Sequence, residues 1–402
     1  MFNRRSFLGR SALISLTPLA PGFLSRSLAS EPVRSDERVL VVLQLDGGND
    51  GLNTVIPFAD ENYARVRRRL HIPTANVLKL DGNVGLHPAM KSAAEMVHEG
   101  RLTIVQGVGY PNPDRSHFRS MAIWHQGRPD AEENSGYGWL GRALDSTRNT
   151  PRAAADAVSV GGQTVPRALW GRRSQVVSFN REAELMLPPE WTPTSSGAAA
   201  PPENDELMSY AERVVDRSYQ TARQLGEQTK GAARLSARSY PSTELARQLA
   251  LISLMIKTEI GARVYYLSQP GYDTHAAQQG DHERLLRTLS EALKAFLDDL
   301  AAAKLHDRVV LLAFSEFGRR VEENESVGTD HGTAGPVLLA GPAAIGGLVG
   351  GHPSLTDLDH GDLKMSVDFR AIYASLLQDW LQIPSDAVGL GRFRCPPLFQ
   401  RT

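Results

Sequence analysis

The 402-residue chain has a single cysteine, Cys395, no marked excess of either charge, and no apolar run long enough to span a bilayer. One cysteine excludes a disulfide framework and any zinc site built on cysteine. With 44 Lys and Arg against 45 Asp and Glu, and no basic block, there is nothing to follow a phosphate backbone, so nucleic acid is not an expected partner. Glycine and proline show no period that would suggest collagen, and a hydrophobic content of 41% is too high for a disordered chain. At about 100–200 residues per domain, the length suffices for one large domain or two ordinary ones, with ample core.

The first thirty residues stand apart. Asn3-Arg4-Arg5-Ser6-Phe7-Leu8 precedes an apolar stretch from Ser11 to Phe23 and then the small residues around Ala29. Paired arginines, a short apolar segment and a small-residue cut site are the parts of a twin-arginine export signal, here residues 1–29. The stretch is shorter than the roughly 20 residues a membrane span needs, so no permanent span is expected. Four arginines and no acid leave with the signal, so the mature chain keeps 40 basic against 45 acidic residues. A periplasmic protein is expected.

Residues 38–45, 102–108, 309–314 and 337–340 are continuous apolar runs, the mark of strands buried on both faces. Between them, 90–98, 242–260, 282–303 and 369–381 carry helical periodicity. Buried strands alternating with helices imply an α/β fold: three layers, a mostly parallel sheet with helices on both faces. One domain over 30–402 is the simplest account. Within it, 193–205 is poor in large apolar residues and reads as a flexible loop, and 206–238 as a polar helical insertion.

In open parallel sheets ligands bind at the carboxyl ends of the strands. Here those ends carry Asp46, then Asp114-Arg115-Ser116-His117, then Asp273-Thr274-His275, then Ser315-Glu316, with Asp330-His331 just before the last strand. Each group alone is ordinary: an Asp or Ser at such a place commonly caps a helix. Together they bring carboxylates to one edge, where they repel unless a cation neutralises them. His with carboxylate ligands suits zinc, manganese or iron, with calcium or magnesium as alternatives.

Asp46-Gly47-Gly48-Asn49-Asp50, Asp273-Thr274-His275, Ser315-Glu316-Phe317-Gly318-Arg319 and Thr329-Asp330-His331-Gly332 resemble, in order, the signature blocks of the bacterial domain-of-unknown-function family 1501. That family is similar in fold to the alkaline phosphatase and sulfatase superfamily. The resemblance implies one or two divalent ions: Asp273, His275 and His331 on one, Asp46 and Glu316 on the other. It also places Ser116 as the attacking hydroxyl, with His117 beside it, and Arg115 or Arg319 as a clamp on an anionic oxygen.

The chain departs from the superfamily at three places. Glu316-Phe317 stands where related phosphatases carry Asp-His, so a second metal loses an imidazole that His117 or Asp50 would have to replace. Asp273 and His275 are more closely spaced than usual. Ser116-His117-Phe118-Arg119 lacks the proline of the sulfatase motif. The expected function is therefore metal-dependent hydrolysis of an anionic phosphate ester, with sulfate second. The alternative is a non-catalytic binding or assembly protein working with a co-encoded exported partner. His87, His125 and His282 are read as structural.

Overall fold

A computed structural model describes residues 37–131, 136–147, 155–162, 164–179, 240–391, 393 and 397–400. The export signal, the loop at 193–205, the insertion at 206–238 and Cys395 lie outside the described residues.

The first strand, β1 (Val39–Asp46), has no polar face until its last residue. Val39, Val41, Leu43 and Leu45 enter one hydrophobic core while Leu40 and Val42 enter another, as period-two alternation requires of a strand covered on both sides. Eight further strands share its sheet: β2 (Leu102–Gly109), β3 (Ala157–Val160), β4 (Val176–Phe179), β5 (Val264–Pro270), β6 (Val309–Phe314), β7 (Gly335–Ala340), β8 (Gly347–Val349) and β9 (Val367–Asp368). Their order is β8-β2-β7-β6-β1-β5-β3-β4, and β9 also pairs with β2. All pairs are parallel except those of β7, which runs against both β2 and β6. The reversal sets the site: β7 starts at the edge where its neighbours end, so residues just before it join the carboxyl-end loops.

Helices α1 (Gly51–Thr54), α2 (Lys91–His98), α3 (His117–Gln126), α4 (Trp139–Ser146), α5 (Glu244–Lys257), α6 (Gln278–Ala302) and α7 (Phe369–Ser375) follow in chain order. Apolar side chains of α2, α5 and α6 fill the core on one face of the sheet, and those of α3, α4 and α7 the core on the other. This is the expected three-layer arrangement. In α6, Leu285, Leu289, Leu293, Phe296, Leu297 and Leu300 recur at helical spacing and are all buried. Ser116 caps α3 at one end, and Gly127, in the left-handed region at φ 67°, ends it at the other. The periodicity at 282–303 starts late: α6 begins at Gln278, and the pattern at 369–381 divides into α7 and a π-helical turn, Leu376–Leu381.

Helices α5 and α6 are also joined by a polar tie. Asp299 accepts hydrogen bonds from Ser253 (2.6 Å) and Tyr240 (3.0 Å) and pairs with Lys257. Burial opposes the charge, but Lys257 and Ser253 outweigh it and hold the carboxyl below its ordinary value. A depressed carboxylate stabilises the fold above the unfolded pKa, and that contribution disappears as pH falls through the folded value. Asp299→Asn is expected to cost about 1–3 kcal/mol at neutral pH, a deficit that shrinks in acid. Urea unfolding of both proteins at pH 7 and pH 3 measures it.

Candidate metal centre

Three imidazoles meet one carboxylate at the carboxyl-end edge. The loop after β5 supplies Asp273 and His275, the approach to β7 supplies His331, and the first residue of α3 is His117. Each ring is held at Nδ1. His331 Nδ1 lies 2.9 Å from the Arg115 carbonyl, which only accepts, so Nδ1 carries the proton and Nε2 a lone pair. His117 Nδ1 lies 2.8 Å from Glu316 Oε1, and His275 Nδ1 lies 3.4 Å from Asp330 Oδ1.

The Nε2 atoms therefore turn inward. Those of His331 and His275 are each 3.0 Å from Asp273 Oδ1 and 2.9 Å from one another. His117 Nε2 is 3.6 Å from Asp273 Oδ2, too far for a hydrogen bond; it is buried and has no partner among the described residues. One ligand atom each from His117, Asp273 and His331 lie within 4.8 Å of one another. Inward lone pairs, a carboxylate, and outer acceptors fixing each ring are the parts of a site for a divalent transition metal. An orphaned ring nitrogen is the cost expected where such an ion belongs. The residues fit the group.

Arg319 builds this site from behind. It is buried, and its N–H groups reach the carbonyls of Gly47, Gly48 (2.7 Å), Tyr272 (3.0 Å) and Thr329 (2.7 Å), with Asp273 Oδ1 at 2.7 Å. Those contacts bind together the loops after β1 and β5 and the segment before β7. Desolvation raises the Asp273 pKa, but the hydrogen bond and charge of Arg319 and the surrounding imidazoles prevail and bring it down to about 2. Gly47 makes the approach possible: at φ 116°, a Cβ there would stand 2.4 Å from the Asp273 nitrogen. Asp46, at the end of β1, has the opposite character. Desolvation and then the Glu316 charge raise its pKa, while a 3.1 Å hydrogen bond from Gln44 partly offsets them.

The other expected residues hold contacts of their own. Glu316, expected as a metal ligand, has both oxygens engaged. Oε1 accepts from Gly47 N (2.9 Å) and faces His117, and Oε2 is 3.1 Å from the Ser315 hydroxyl. Its position is behind His117, whose pKa its hydrogen bond raises. Arg319, expected as an anion clamp, has its donors committed to the protein. Ser116 Oγ accepts the α3 cap hydrogen bond from Arg119 N at 3.4 Å, and none of its hydrogen bonds reaches the imidazoles or Asp273.

Of the two residues named to replace the missing imidazole, His117 points into the cluster. Asp50 does not: it is fully buried in an ion pair with Arg67. Phe317 packs its ring against His117 and His331, at centroid distances of 4.9 and 4.7 Å, and walls off that flank. His282 lies 3.0 Å from Asn49 Oδ1, and His125 contacts Gln44 and Tyr266; none of these contacts reaches His117, Asp273, His275 or His331.

The fold and this cluster define an α/β protein with a metal-type centre at the carboxyl edge of its sheet. The chain belongs to the DUF1501 family, described as a protein of unknown function, whose model matches residues 37–379. No curated protein matches it in sequence. Among solved structures it is similar to murine ectonucleotide pyrophosphatase/phosphodiesterase 5, an inactive form in complex with AMP, at 10% identity and TM-score 0.39, covering 87% of this chain and 96% of that one. A sulfatase from Pseudoalteromonas sp. gives 10% identity and TM-score 0.38, covering 87% and 69%. The C-terminal periplasmic domain of EptC from Escherichia coli, in complex with zinc, gives 10% and 0.34, covering 78% and 77%.

Proposed function

We propose that the protein is a metal-dependent hydrolase of phosphate esters, with sulfate esters the lesser reading. The observation that carries this is the buried Nε2 of His117, without a hydrogen-bond partner among the described residues and facing Asp273 and His331. We assign His117, Asp273, His275 and His331 to one divalent ion, with Glu316, Asp330 and the Arg115 carbonyl behind the rings. That ion supplies a Lewis acid for the developing charge of an in-line displacement.

The chain's own residues do the rest. Asp46, expected from the sequence as a metal ligand, ends β1 at the same edge as Asp273 and Glu316, and we assign it to take the proton of the attacking group. Arg319 keeps Asp273 ionised and in place, which makes it a positioning residue. Attack by water is the simpler assignment, because Ser116 is engaged as a helix cap. The paired arginines and apolar segment of residues 3–23 support export by the twin-arginine route, hence periplasmic location. Among the described residues no helix is long and apolar enough to cross a membrane.

A panel of phosphate mono- and diesters and sulfate esters, run with metal-loaded wild type, Asp46→Asn and Ser116→Ala, tests the reading. Turnover of a phosphate ester is expected, reduced about 10²–10⁴-fold in Asp46→Asn and largely kept in Ser116→Ala. Complete loss in Ser116→Ala restores the serine as nucleophile. A second reading, a metal-binding protein without catalysis, draws on Phe317 in place of an imidazole; bound metal with no turnover of any ester establishes it. Nothing in the comparisons supports a co-encoded partner.

A further inference from the structure

A cleft of about 190 Å³, room for roughly six waters, opens beside the metal centre, with Glu316 in its lining. Its walls are Tyr110, Pro111 and Pro113 on one side and Leu363 and Met365 on the other, with Trp124 also lining it. The first wall belongs to the loop that leads from β2 to His117. Arg115, in that loop, pairs with the fully buried Asp362, which ties the two walls together.

The polar groups of this lining are largely engaged within the protein. Tyr110 OH bonds Ser120 at 2.8 Å, Thr333 Oγ1 donates to the Leu363 carbonyl at 2.7 Å, and Lys364 pairs with Asp357. The one buried polar atom of the lining without a partner is Trp124 Nε1, a donor. Met365 is 38% exposed, and only one other large hydrophobic among the described residues is classed as exposed: Phe118, which follows His117 and is 79% exposed. Exposed apolar surface confined to the neighbourhood of a polar centre marks a binding surface.

We propose that this cleft receives the alcohol side of the ester. Its occupant is a neutral aryl or short alkyl group, not a polyanion. The lining offers no unpaired cation for a second charge. It offers an apolar wall and two prolines that hold their backbone still. The inference rests on the hydrolase reading and adds to it a substrate class, esters of neutral apolar alcohols.

Calorimetric binding of phenylphosphonate and methylphosphonate to metal-loaded wild type and Met365→Asp tests it without turnover. Met365 is partly exposed, so the variant should fold, and its melting curve checks that. Phenylphosphonate is expected to bind wild type about tenfold more tightly than methylphosphonate, and Met365→Asp to abolish that preference. Equal affinities in wild type, or a preference that survives Met365→Asp, overturn the cleft assignment and leave the hydrolase reading intact. Binding of neither phosphonate removes the anion site itself, and both readings with it.

Discussion

His331→Ala is expected to leave the protein folded and unable to hold its metal, with affinity lowered by more than about 100-fold. Loss of a partner behind a ligand already costs about 10- to 100-fold, and His331 supplies the lone pair itself. Its Nδ1 is committed to the Arg115 carbonyl, so Nε2 is the only ring atom facing Asp273 and His275. Glu316→Gln provides the comparison. An amide in its place still reaches His117 but no longer carries charge, so affinity should fall only within the 10- to 100-fold range. Elemental analysis of the purified proteins, followed by competition against a chelator, gives the order. If His331→Ala retains metal as firmly as wild type, the imidazole cluster is not the site.

The largest expected stability effect lies behind the site, at Arg67. Its guanidinium forms a two-pronged pair with Asp50, Nη1 to Oδ2 at 2.6 Å and Nη2 to Oδ1 at 2.9 Å, and both side chains are 0% exposed. Nε and Nη2 also reach the carbonyls of Val321 (2.7 Å) and Arg320 (2.8 Å), and Gln278 donates to Asp50 at 2.6 Å. Burial alone would raise the Asp50 pKa, but Arg67 holds it below the ordinary value. Arg67→Met leaves a carboxylate stranded in the interior and is expected to cost about 3–5 kcal/mol. Adding Asp50→Asn removes the stranded charge, so the double variant should recover a large part of the loss. Chemical denaturation of the two single variants and the double variant gives the coupling directly. Additive losses would mean that the pair contributes no more than its separate packing.

The sheet was legible because strands covered on both faces must be largely apolar: residues 309–314 are so throughout, and 39–45 but for Gln44. The short strands β3 and β4 were not, because four residues such as Ala-Val-Ser-Val carry too little pattern to stand out. The same division holds in the site. Asp273, His275 and His331 were visible as acids and imidazoles at strand ends. The partnership of Glu316 with His117 spans 199 positions and depends on how β2, β7 and β6 align, which neighbouring residues do not reveal. Nor does composition show that Arg319 is walled in by carbonyls: an arginine near acids reads equally well as a substrate clamp. The reversed direction of β7, which brings His331 to the shared edge, is a property of pairing and not of any residue type.

Arg319 has a consequence for how the centre is filled. A permanent guanidinium, not the ion, draws the loops that carry Asp273, His275 and His331 together with the loop after β1, through four backbone carbonyls and one acid. Loading is then a local exchange of water and protons for a cation, uncoupled from the folding of the chain. Chelation should empty the centre reversibly, and the apo-protein should keep its melting transition and reload on contact with the ion.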